Sequence, residues 1–216
     1  MTKVAIILSG CGVFDGAEIH ESVLTLLYLE QAGAQYQCFA PNVDQYHVIN
    51  HLTGEEQAQK RNVLEEAARI ARDEILDLKE LNVDDYDALV LPGGFGAAKN
   101  LCDFALKGAH STLNTDVERV CREFAQQTKP AAYLCIAPAI IAHIYPQGTK
   151  ATIGHDADTA AAIEAIGAKH VECAVDDIVV DEQAKVISTP AYMLAGSVKE
   201  AAAGIEKAIN KLVSLS

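Results

Sequence analysis

Hydrophobic positions along the chain form short unbroken runs that alternate with longer periodic segments. The runs 4–8 (VAIIL), Ala88–Leu91 and Ala131–Leu134 contain no polar residue, and 36–40 (YQCFA) is a less even fourth run. Unbroken apolar runs of this length are typical of strands buried on both faces, as in a parallel sheet covered by helices. We therefore predict four strands of such a sheet.

The periodic segments between these runs predict helices. In residues 18–31, apolar side chains recur at helical spacing, at Ile19, Val23, Leu26 and Leu27. Three segments have the Ser/Thr-x-x-Glu pattern of a capping box, which predicts a helix start at each: 53–56, 115–118 and 197–200.

The order of these elements predicts the fold class. Strands alternate with helices, and no repeat or linker interrupts residues 1–216. Near the end, residues 176–190 (DDIVVDEQAKVISTP) contain two short β runs around a polar turn, which indicates a β-hairpin. We predict a single α/β domain with a doubly wound, mostly parallel sheet and helices on both faces.

Charge and cysteine spacing narrow the function classes. The net charge of −13 argues against a nucleic-acid partner, which needs a clustered basic face. The apolar run 4–8 is too short for a signal peptide or a membrane span, so no membrane partner is expected. The six cysteines are widely spaced without a C-x-x-C pair, so no metal site or disulfide framework is expected. Free thiols favour a reducing compartment, and we expect a cytoplasmic protein.

Cys135 is the first candidate for chemistry, because it lies where a predicted strand ends and a helix begins. Pro138 suits the first turn of that helix, since its missing N–H would have no partner there. Ligands of open α/β sheets bind at the carboxyl ends of strands. The dipole of the helix is expected to lower the thiol pKa and favour the nucleophilic thiolate. This is a nucleophile elbow; the alternative is an inert cysteine that closes a buried strand.

Two further segments follow predicted strands. The turn Pro92-Gly93-Gly94 lets backbone approach a ligand closely, and its N–H groups with that of Ile136 are a candidate oxyanion site; the alternative is an ordinary glycine-rich turn. The segment SGCGVFDGAEIHES (9–22) does not fit the G-x-G-x-x-G spacing, so no dinucleotide cofactor is expected. It opens a helix with Glu18 and Glu21, either of which the helix dipole alone would favour. One of them is a candidate acid/base for the thiol.

These segments together resemble the PfpI/ThiJ superfamily, which has the flavodoxin-like fold of class I glutamine amidotransferases. The matching segments are GAEIHESV (16–23), LPGGFGAAKNL (91–101) and LCIAPAIIA (134–142). The resemblance implies Cys135 as nucleophile, Glu21 as the acid that faces it and Gly94 as the oxyanion glycine. GVFDGAEIHE and CIAP are similar to the ElbB-type subgroup, named for enhanced lycopene biosynthesis, which implies a link to isoprenoid biosynthesis.

The sequence departs from the superfamily in its histidines. A histidine often follows the elbow cysteine, but Ile136 occupies that place, and His155 is the nearest match to the more distant histidine of other members. Working glutaminases of this fold carry a His-x-Glu pair after the hairpin, where residues 188–196 (STPAYMLAG) contain no histidine. The pair His170-Val-Glu172 lies before the hairpin and is expected at the surface. Ammonia release from glutamine is therefore not expected.

The resemblance implies a glyoxalase that needs no cofactor or metal, because several superfamily members have this activity. The Cys135 thiolate would add to a small aldehyde such as glyoxal, the amides of Gly94 and Ile136 would hold the oxyanion, and Glu21 or His155 would move the proton. Two alternatives stay open: a redox-sensing protein that oxidises Cys135, and an amidotransferase-like subunit with a degenerate triad.

The resemblance also implies a homodimer. Within residues 14–30, Leu24 and Tyr28 lie off the main apolar stripe and are candidates for a partner's surface. Burial under the 41–54 loop is an equally plain explanation for both side chains.

Overall fold

A seven-stranded sheet lies at the centre of the computed structural model, which describes residues 1–216. The strands, numbered along the chain, are β1 Lys3–Ile7, β2 Gln35–Ala40, β3 Val48–Ile49, β4 Glu56–Gln57, β5 Ile75–Asp77, β6 Ala88–Leu91, β7 Ala131–Leu134, β8 Lys150–Ala151, β9 Lys169–His170, β10 Val179–Asp181 and β11 Val186–Thr189. The central sheet has the order β10-β11-β7-β6-β1-β2-β5, in which only β10 and β11 pair antiparallel. The pairs β3–β4 and β8–β9 form two small separate sheets.

Helices cover both faces of this sheet. They are α1 Ile19–Gln31, α2 Val63–Ala71, α3 Phe95–Lys99, α4 Phe104–Lys107, α5 Thr115–Gln126, α6 Ile141–Ile144, α7 Ala157–Ile166 and α8 Val198–Leu215. Apolar side chains of α1, α2 and α8 pack on one face, and those of α3 to α7 pack on the other. No helix is long and apolar enough to span a membrane. The predicted doubly wound, mostly parallel α/β fold is confirmed.

The unbroken apolar runs are strands because both of their faces are covered. Every residue of β6, β7 and β11 is buried, so there is no exposed face that would impose an alternating pattern. The hairpin is also confirmed, with Val180 opposite Ile187. Its turn is closed by Asp181, whose carboxylate accepts hydrogen bonds from the amides of Gln183 and Ala184.

Two of the three predicted capping boxes precede helices. Ser197 caps α8 through the amide of Glu200, as predicted, whereas α5 is capped one residue earlier than predicted, by Asn114. The third prediction, at residues 53–56, is wrong. That segment forms a turn in which the Gly54 amide donates to Asn50, and the chain then enters β4, so the next helix begins only after Asn62.

Helix α1 turns a different face to the core than its apolar pattern predicts. Its apolar stripe points outward, with exposed fractions of 43%, 49% and 41% for Ile19, Val23 and Leu27. The buried residues include Glu21, whose carboxyl accepts hydrogen bonds from backbone amides of two other segments. These hydrogen bonds orient the helix, so burial of the hydrogen-bonded Glu21 carboxyl takes precedence over burial of the apolar stripe. Leu24 and Tyr28 are half-buried, and the homodimer stays a prediction.

The sheet order brings four segments to one place. Strands β11, β7, β6 and β1 are consecutive neighbours and parallel, so their carboxyl ends meet at the same edge of the sheet. The segments that leave these ends are 190–193, 135–140, 92–94 and 8–18. The expected location of a ligand site in an open α/β sheet is this edge.

Candidate active site

Cys135 lies at a sharp turn between β7 and a short 3-10 helix. Its φ is +59°, in the left-handed region that non-glycine residues rarely adopt. Its amide donates to the carbonyl of Thr189 at 3.0 Å, which ties the turn to the neighbouring strand β11. Pro138 lies in the first turn of the 3-10 helix Ala137–Ile140, as predicted for an elbow. The fixed backbone directs the thiol out of the sheet.

Glu21 reaches this thiol from the first turn of α1. Its side chain has no exposed surface, and its Oε2 lies with the Cβ of Cys135 against Gly93, so the carboxyl group and the thiol are neighbours. The Gly93 amide donates to Oε2 at 2.8 Å, and the Tyr192 amide donates to Oε1 at 3.1 Å. A buried carboxyl with both oxygens held by backbone groups keeps one orientation, so its contact with the thiol is fixed.

Burial raises the pKa of Glu21 to about 7. The negative charge of Glu18 contributes to this rise and the hydrogen bonds from Tyr192 and Gly93 oppose it, so about 7 is the net result. A carboxyl group with a pKa near neutrality exchanges its proton readily at physiological pH, which is the property required of a general acid/base.

The pKa of Cys135 is raised, contrary to the expectation of a thiol activated by a helix dipole. Burial is the main cause and the nearby charge of Glu21 the second, while hydrogen bonds from the amides of Gly94 and Ile136 act in the opposite direction. The helix that follows is a single 3-10 turn continued by the short α6, so it contributes little dipole. A thiol with a raised pKa needs a proton acceptor to become a nucleophile, and the Glu21 carboxyl is the titrating group beside it.

Two of the three predicted oxyanion donors face the thiol. The amides of Gly94 and Ile136 lie near the Cys135 thiol and act to lower its pKa. The Gly93 amide instead donates to Glu21, so its predicted place in the oxyanion site is corrected to a contact that holds the acid. Gly93 is still required to be small, because a Cβ there would overlap the Cβ of Cys135.

Gly94→Ala is expected to lower the free energy of unfolding by roughly 2–5 kcal/mol, the sum of backbone strain and overpacking. Gly94 has a φ of +93°, and a Cβ there would overlap the amide of Glu18 and the carbonyl of Gly16. Gly54→Ala is the matched control, since Gly54 has a φ of +77° in open space. Chemical denaturation measures both variants, and equal losses would contradict the close packing described for Gly94.

A cavity of about 370 Å³ opens beside Cys135. Its walls are mostly apolar, with Val13, Phe95, Ile136 and Met193, and its polar side chains include Asp156 and Thr159. An apolar cavity with few polar groups is typical of a small-molecule site.

His155 does not join this cavity. The lining reaches its neighbour Asp156, but the His155 side chain is exposed and is absent from the walls. Asp156 caps α7 through the amide of Thr159, which fixes this turn with the histidine outside. The structure therefore brings together Cys135 and Glu21 without His155.

Glu18 supports the site instead of entering its chemistry. Its carboxylate is the N-cap of α1 and accepts a hydrogen bond from the Glu21 amide at 2.7 Å. It therefore fixes the first turn that carries Glu21, and its charge contributes to the raised pKa of that residue.

Tyr192 is a site residue that the sequence reasoning missed. It lies in the 3-10 helix Ala191–Met193 after β11, lines the cavity, and contacts Nδ1 of His20 through its hydroxyl at 2.9 Å. In the sequence, its segment differs from that of glutaminases by the lack of a histidine. The feature that could have identified Tyr192 is that β11 ends at the same edge of the sheet as β7.

No group of three or more His, Cys, Asp and Glu side chains is placed to share a metal ion. The expectation that the reaction needs no metal or cofactor stays a prediction, to be tested by activity measurements on protein treated with a chelator.

The contribution of Glu21 to stability is expected to fall as pH rises from about 4.5 to about 7. The folded protein keeps the Glu21 proton up to a pKa of about 7, whereas the unfolded chain releases it near the ordinary value of 4.5. The folded state binds more protons in this window, so the free energy of unfolding decreases with pH, by on the order of 3 kcal/mol.

Denaturation of the parent protein and Glu21→Gln at several pH values isolates this effect, because other titrating groups cancel in the difference. The stability of the parent relative to the variant should be greatest at low pH. A difference that is constant or grows with pH would contradict a raised pKa.

The sequence matches the profile described as the DJ-1/PfpI family over residues 3–194. The chain belongs to the DJ-1/PfpI family. The match includes Glu21, the Gly93-Gly94 turn and Cys135, so the residues that meet at the sheet edge lie within the family domain.

Several relatives of this DJ-1/PfpI chain cover it almost completely. The Homo sapiens protein "Glutamine amidotransferase-like class 1 domain-containing protein 3, mitochondrial" is 45% identical over 99% of this chain and 83% of its own length. A solved structure, an isoprenoid biosynthesis protein with amidotransferase-like domain from Ehrlichia chaffeensis, is 34% identical with a TM-score of 0.91, over 98% of this chain and 99% of that one. Glyoxalase III from Candida albicans has the same fold at 14% identity, with a TM-score of 0.63 over 99% and 97% of the two chains.

The relatives correct the expectation of a cytoplasmic protein. The human relative, the Rattus norvegicus ES1 protein homolog (43% identical over 99% of this chain and 84% of its own length) and the Danio rerio ES1 protein (34%, over 89% and 77%) are all named as mitochondrial. The expectation rested on free, widely spaced cysteines, which indicate a reducing compartment but do not distinguish one such compartment from another. The cytoplasmic prediction is therefore wrong.

Proposed function

We propose that this protein converts glyoxal and related small 2-oxoaldehydes to 2-hydroxy acids without a cofactor. The observation that carries the proposal is the contact between the fully buried Glu21 carboxyl and the Cys135 thiol at the wall of an apolar cavity. The fold shared with a glyoxalase III supports it at the level of the fold alone.

In the first step, Glu21 accepts the thiol proton and the Cys135 sulfur adds to one aldehyde carbon. The C=O bond becomes a single bond, and the amides of Gly94 and Ile136, which lie near the thiol, would hold the resulting oxyanion. Glu21 then returns its proton to this oxygen, which gives a hemithioacetal. The pKa near 7 suits both directions of this transfer.

In the second step, one proton moves between the two carbons and one between the two oxygens. Glu21 removes the proton of the sulfur-bearing carbon, and the electron pair passes through a new C=C bond to the neighbouring carbonyl oxygen, which gives an enediolate. The hydroxyl proton of the hemithioacetal moves to that oxygen, and Glu21 delivers its own proton to the adjacent carbon, which leaves a thioester of Cys135. The substrate is oxidised at one carbon and reduced at the other, so no external redox partner is needed. Water cleaves the thioester, restores the thiol and releases glycolate when the substrate is glyoxal.

Redox sensing at Cys135 is the second candidate function. The cavity walls contain no histidine. Glu21 is the titrating group beside the sulfur, and the same carboxyl would stabilise an oxidised form of Cys135. Peroxide would convert the thiolate to a sulfenic acid while it is itself reduced to water. The amidotransferase alternative gains nothing here, because residues 188–196, which follow the hairpin, contain no histidine. The link to isoprenoid biosynthesis stays a prediction.

A steady-state assay on glyoxal, methylglyoxal and glutamine tests the proposal, with glycolate or lactate identified by NMR. We expect turnover of the aldehydes and none of glutamine. Selective oxidation of Cys135 by low peroxide, found by intact mass together with absent aldehyde turnover, would overturn the proposal in favour of redox sensing.

A further inference from the structure

The amine of Lys99, at the end of α3, contacts the imidazole of His47, which lies just before β3. Nζ is 3.0 Å from Nε2 of the ring and also donates to the carbonyl of Phe14 at 3.2 Å. An ammonium group can only donate, so Nε2 is the acceptor and the ring proton lies on Nδ1. Nδ1 faces the carboxylate of Glu56, in β4, at 3.9 Å. The three side chains are therefore arranged as a nucleophile, a base and a group that orients the base.

The surroundings of Lys99 differ from those of lysines that form ion pairs. The amines of Lys107 and Lys211 lie 2.6 and 3.1 Å from carboxylate oxygens, which hold the proton on the ammonium. Lys99 is half-buried, and burial lowers its pKa, while the charges of Asp15 and Glu56 oppose the change. A lowered pKa and a neighbouring base both favour the free amine, which is the nucleophilic form.

We propose that Lys99 is a second nucleophile of this protein and binds an uncharged aldehyde with an aromatic or alkyl substituent as a Schiff base. Lys99 is not among the residues that line the cavity beside Cys135. Binding at Lys99 therefore does not require the chemistry proposed for the thiol, and it would give the protein a second site for carbonyl compounds.

The charges around Lys99 favour an aldehyde over other electrophiles. Asp15 and Glu56 act on the amine through their negative charges. A protonated Schiff base keeps the positive charge of the ammonium beside these carboxylates, whereas acylation would remove that charge and a carbamate would reverse it. The ring of Phe95, whose centroid is 4.7 Å from Nζ, favours the same positive charge through a cation–π contact.

Exposed aromatic side chains beside the amine indicate the substituent. Phe14, Tyr46 and Phe95 have exposed fractions of 38%, 57% and 45%. The Phe14 carbonyl and the Phe95 ring contact the Lys99 amine. The ring centroids of Tyr46 and His47 are 4.9 Å apart. An apolar group on the aldehyde carbon would pack on these rings and leave water, whereas a negatively charged aldehyde would be repelled by the two carboxylates.

The reaction balances with His47 as the proton carrier. His47 takes one proton from the ammonium, the amine electron pair bonds to the carbonyl carbon, and the carbonyl oxygen receives that proton. His47 then takes a second proton from the nitrogen and delivers it to the hydroxyl group, which leaves as water while the C=N bond forms. One ammonium and one aldehyde give one protonated imine and one water, without oxidation or a further reactant.

Reductive trapping tests Lys99 in the parent protein. The protein is incubated near neutral pH with benzaldehyde and sodium cyanoborohydride, which reduces the iminium ion to a stable secondary amine. Peptide mapping by mass spectrometry gives the labelling rate of each lysine. We expect Lys99 to be labelled at least about tenfold faster than the exposed Lys199, because a positioned base usually contributes a hundredfold or more.

A charged probe, 4-carboxybenzaldehyde, tests the recognition of the substituent. Each rate at Lys99 is divided by the rate of the same aldehyde with Nα-acetyl-lysine amide, which removes intrinsic reactivity. The normalised rate is expected to be lower for 4-carboxybenzaldehyde than for benzaldehyde, because the former brings a negative charge to the carboxylates of Asp15 and Glu56.

Two variants separate the base from structural support. His47→Gln keeps an acceptor oxygen but cannot carry a proton, so labelling of Lys99 should fall roughly tenfold or more. His51→Gln is the matched control, since His51 lies between β3 and β4 and accepts a hydrogen bond from the Phe14 amide without contacting Lys99. Labelling in this variant should stay within about twofold of the parent. Melting curves show whether each variant is folded, and the comparison of lysines in the parent needs neither.

The outcomes distinguish this site from the one at Cys135. Selective labelling of Lys99 that falls in His47→Gln and persists in His51→Gln supports the second site, and it would do so in a protein without glyoxal turnover. Labelling of Lys99 no faster than that of Lys199, equal normalised rates for the two aldehydes, unchanged labelling in His47→Gln or equal losses in the two variants would each overturn the proposal.

Discussion

Replacing Cys135 with alanine is expected to lower kcat/KM for glyoxal by at least about a thousandfold, the range found when a covalent nucleophile is removed. The sulfur is the nucleophile of the proposed mechanism, and Glu21 and the amides of Gly94 and Ile136 all lie near it. Alanine has a Cβ in the same strained position, so the turn at φ +59° costs the same and the fold should be retained. Steady-state assays with product detection measure the loss.

Cys11→Ala is the matched control for this variant. Cys11 is a half-buried thiol in the segment that leaves β1, at the same edge of the sheet, and burial raises its pKa as well. It is not in contact with Glu21, so its removal should leave turnover within about twofold. A Cys135→Ala protein that turned over glyoxal as fast as the parent would end the covalent mechanism.

Glu21→Gln is expected to reduce kcat/KM by roughly a hundredfold to ten-thousandfold, the usual contribution of a general acid/base. Glutamine preserves the size of the side chain and one acceptor oxygen but cannot carry the proton between sulfur and substrate. One of the amides of Gly93 and Tyr192 then faces an NH₂ group instead of an oxygen. The cost of that lost partner is about 1–3 kcal/mol, so a melting curve must accompany the assay.

Glu18→Gln provides the comparison one helical turn earlier. Its amide oxygen still accepts the hydrogen bond from the Glu21 amide, so the cap survives. Loss of its charge should lower the pKa of Glu21, because Glu18 is one of the groups that raise it. The pH profile should therefore shift to lower pH while the maximum rate changes little. Equal losses in the two variants would refute the assignment of Glu21 as the acid/base.

Local sequence patterns correctly predicted the strands β6 and β7 that carry the site at their carboxyl ends. The strands β6 and β7 have the predicted bounds, because residues buried on both faces leave an unbroken apolar run. The strand ends in turn identified Cys135 and the Gly93-Gly94 turn. Position 94 must be glycine because the backbone of Gly16 and Glu18 lies too close for a Cβ. A requirement of this kind can be predicted from the sequence, since the glycine itself marks it.

Features that depend on distant contacts were not predictable in the same way. The rotation of α1 follows from amides that lie 72 and 171 residues away from Glu21, and nothing in the apolar stripe of this helix records them. The raised pKa of Cys135 follows from burial, which no local pattern measures. The sequence did not predict Tyr192 as a site residue, because Tyr192 contacts Glu21 through its backbone amide, a group that every residue type except proline carries.

The sequence separation between Glu21 and its hydrogen-bond partners determines when the site can first form during synthesis. The acid emerges from the ribosome early, but its last amide partner is Tyr192, which is made 171 residues later. A nascent chain therefore carries Cys135 for dozens of residues before the hydrogen bond that completes the site, and strand β11, which holds the cysteine amide through Thr189, arrives equally late. Contacts of such long sequence separation form late in folding. The arrangement of Cys135 and Glu21 is thus complete only after almost all of the domain has been translated.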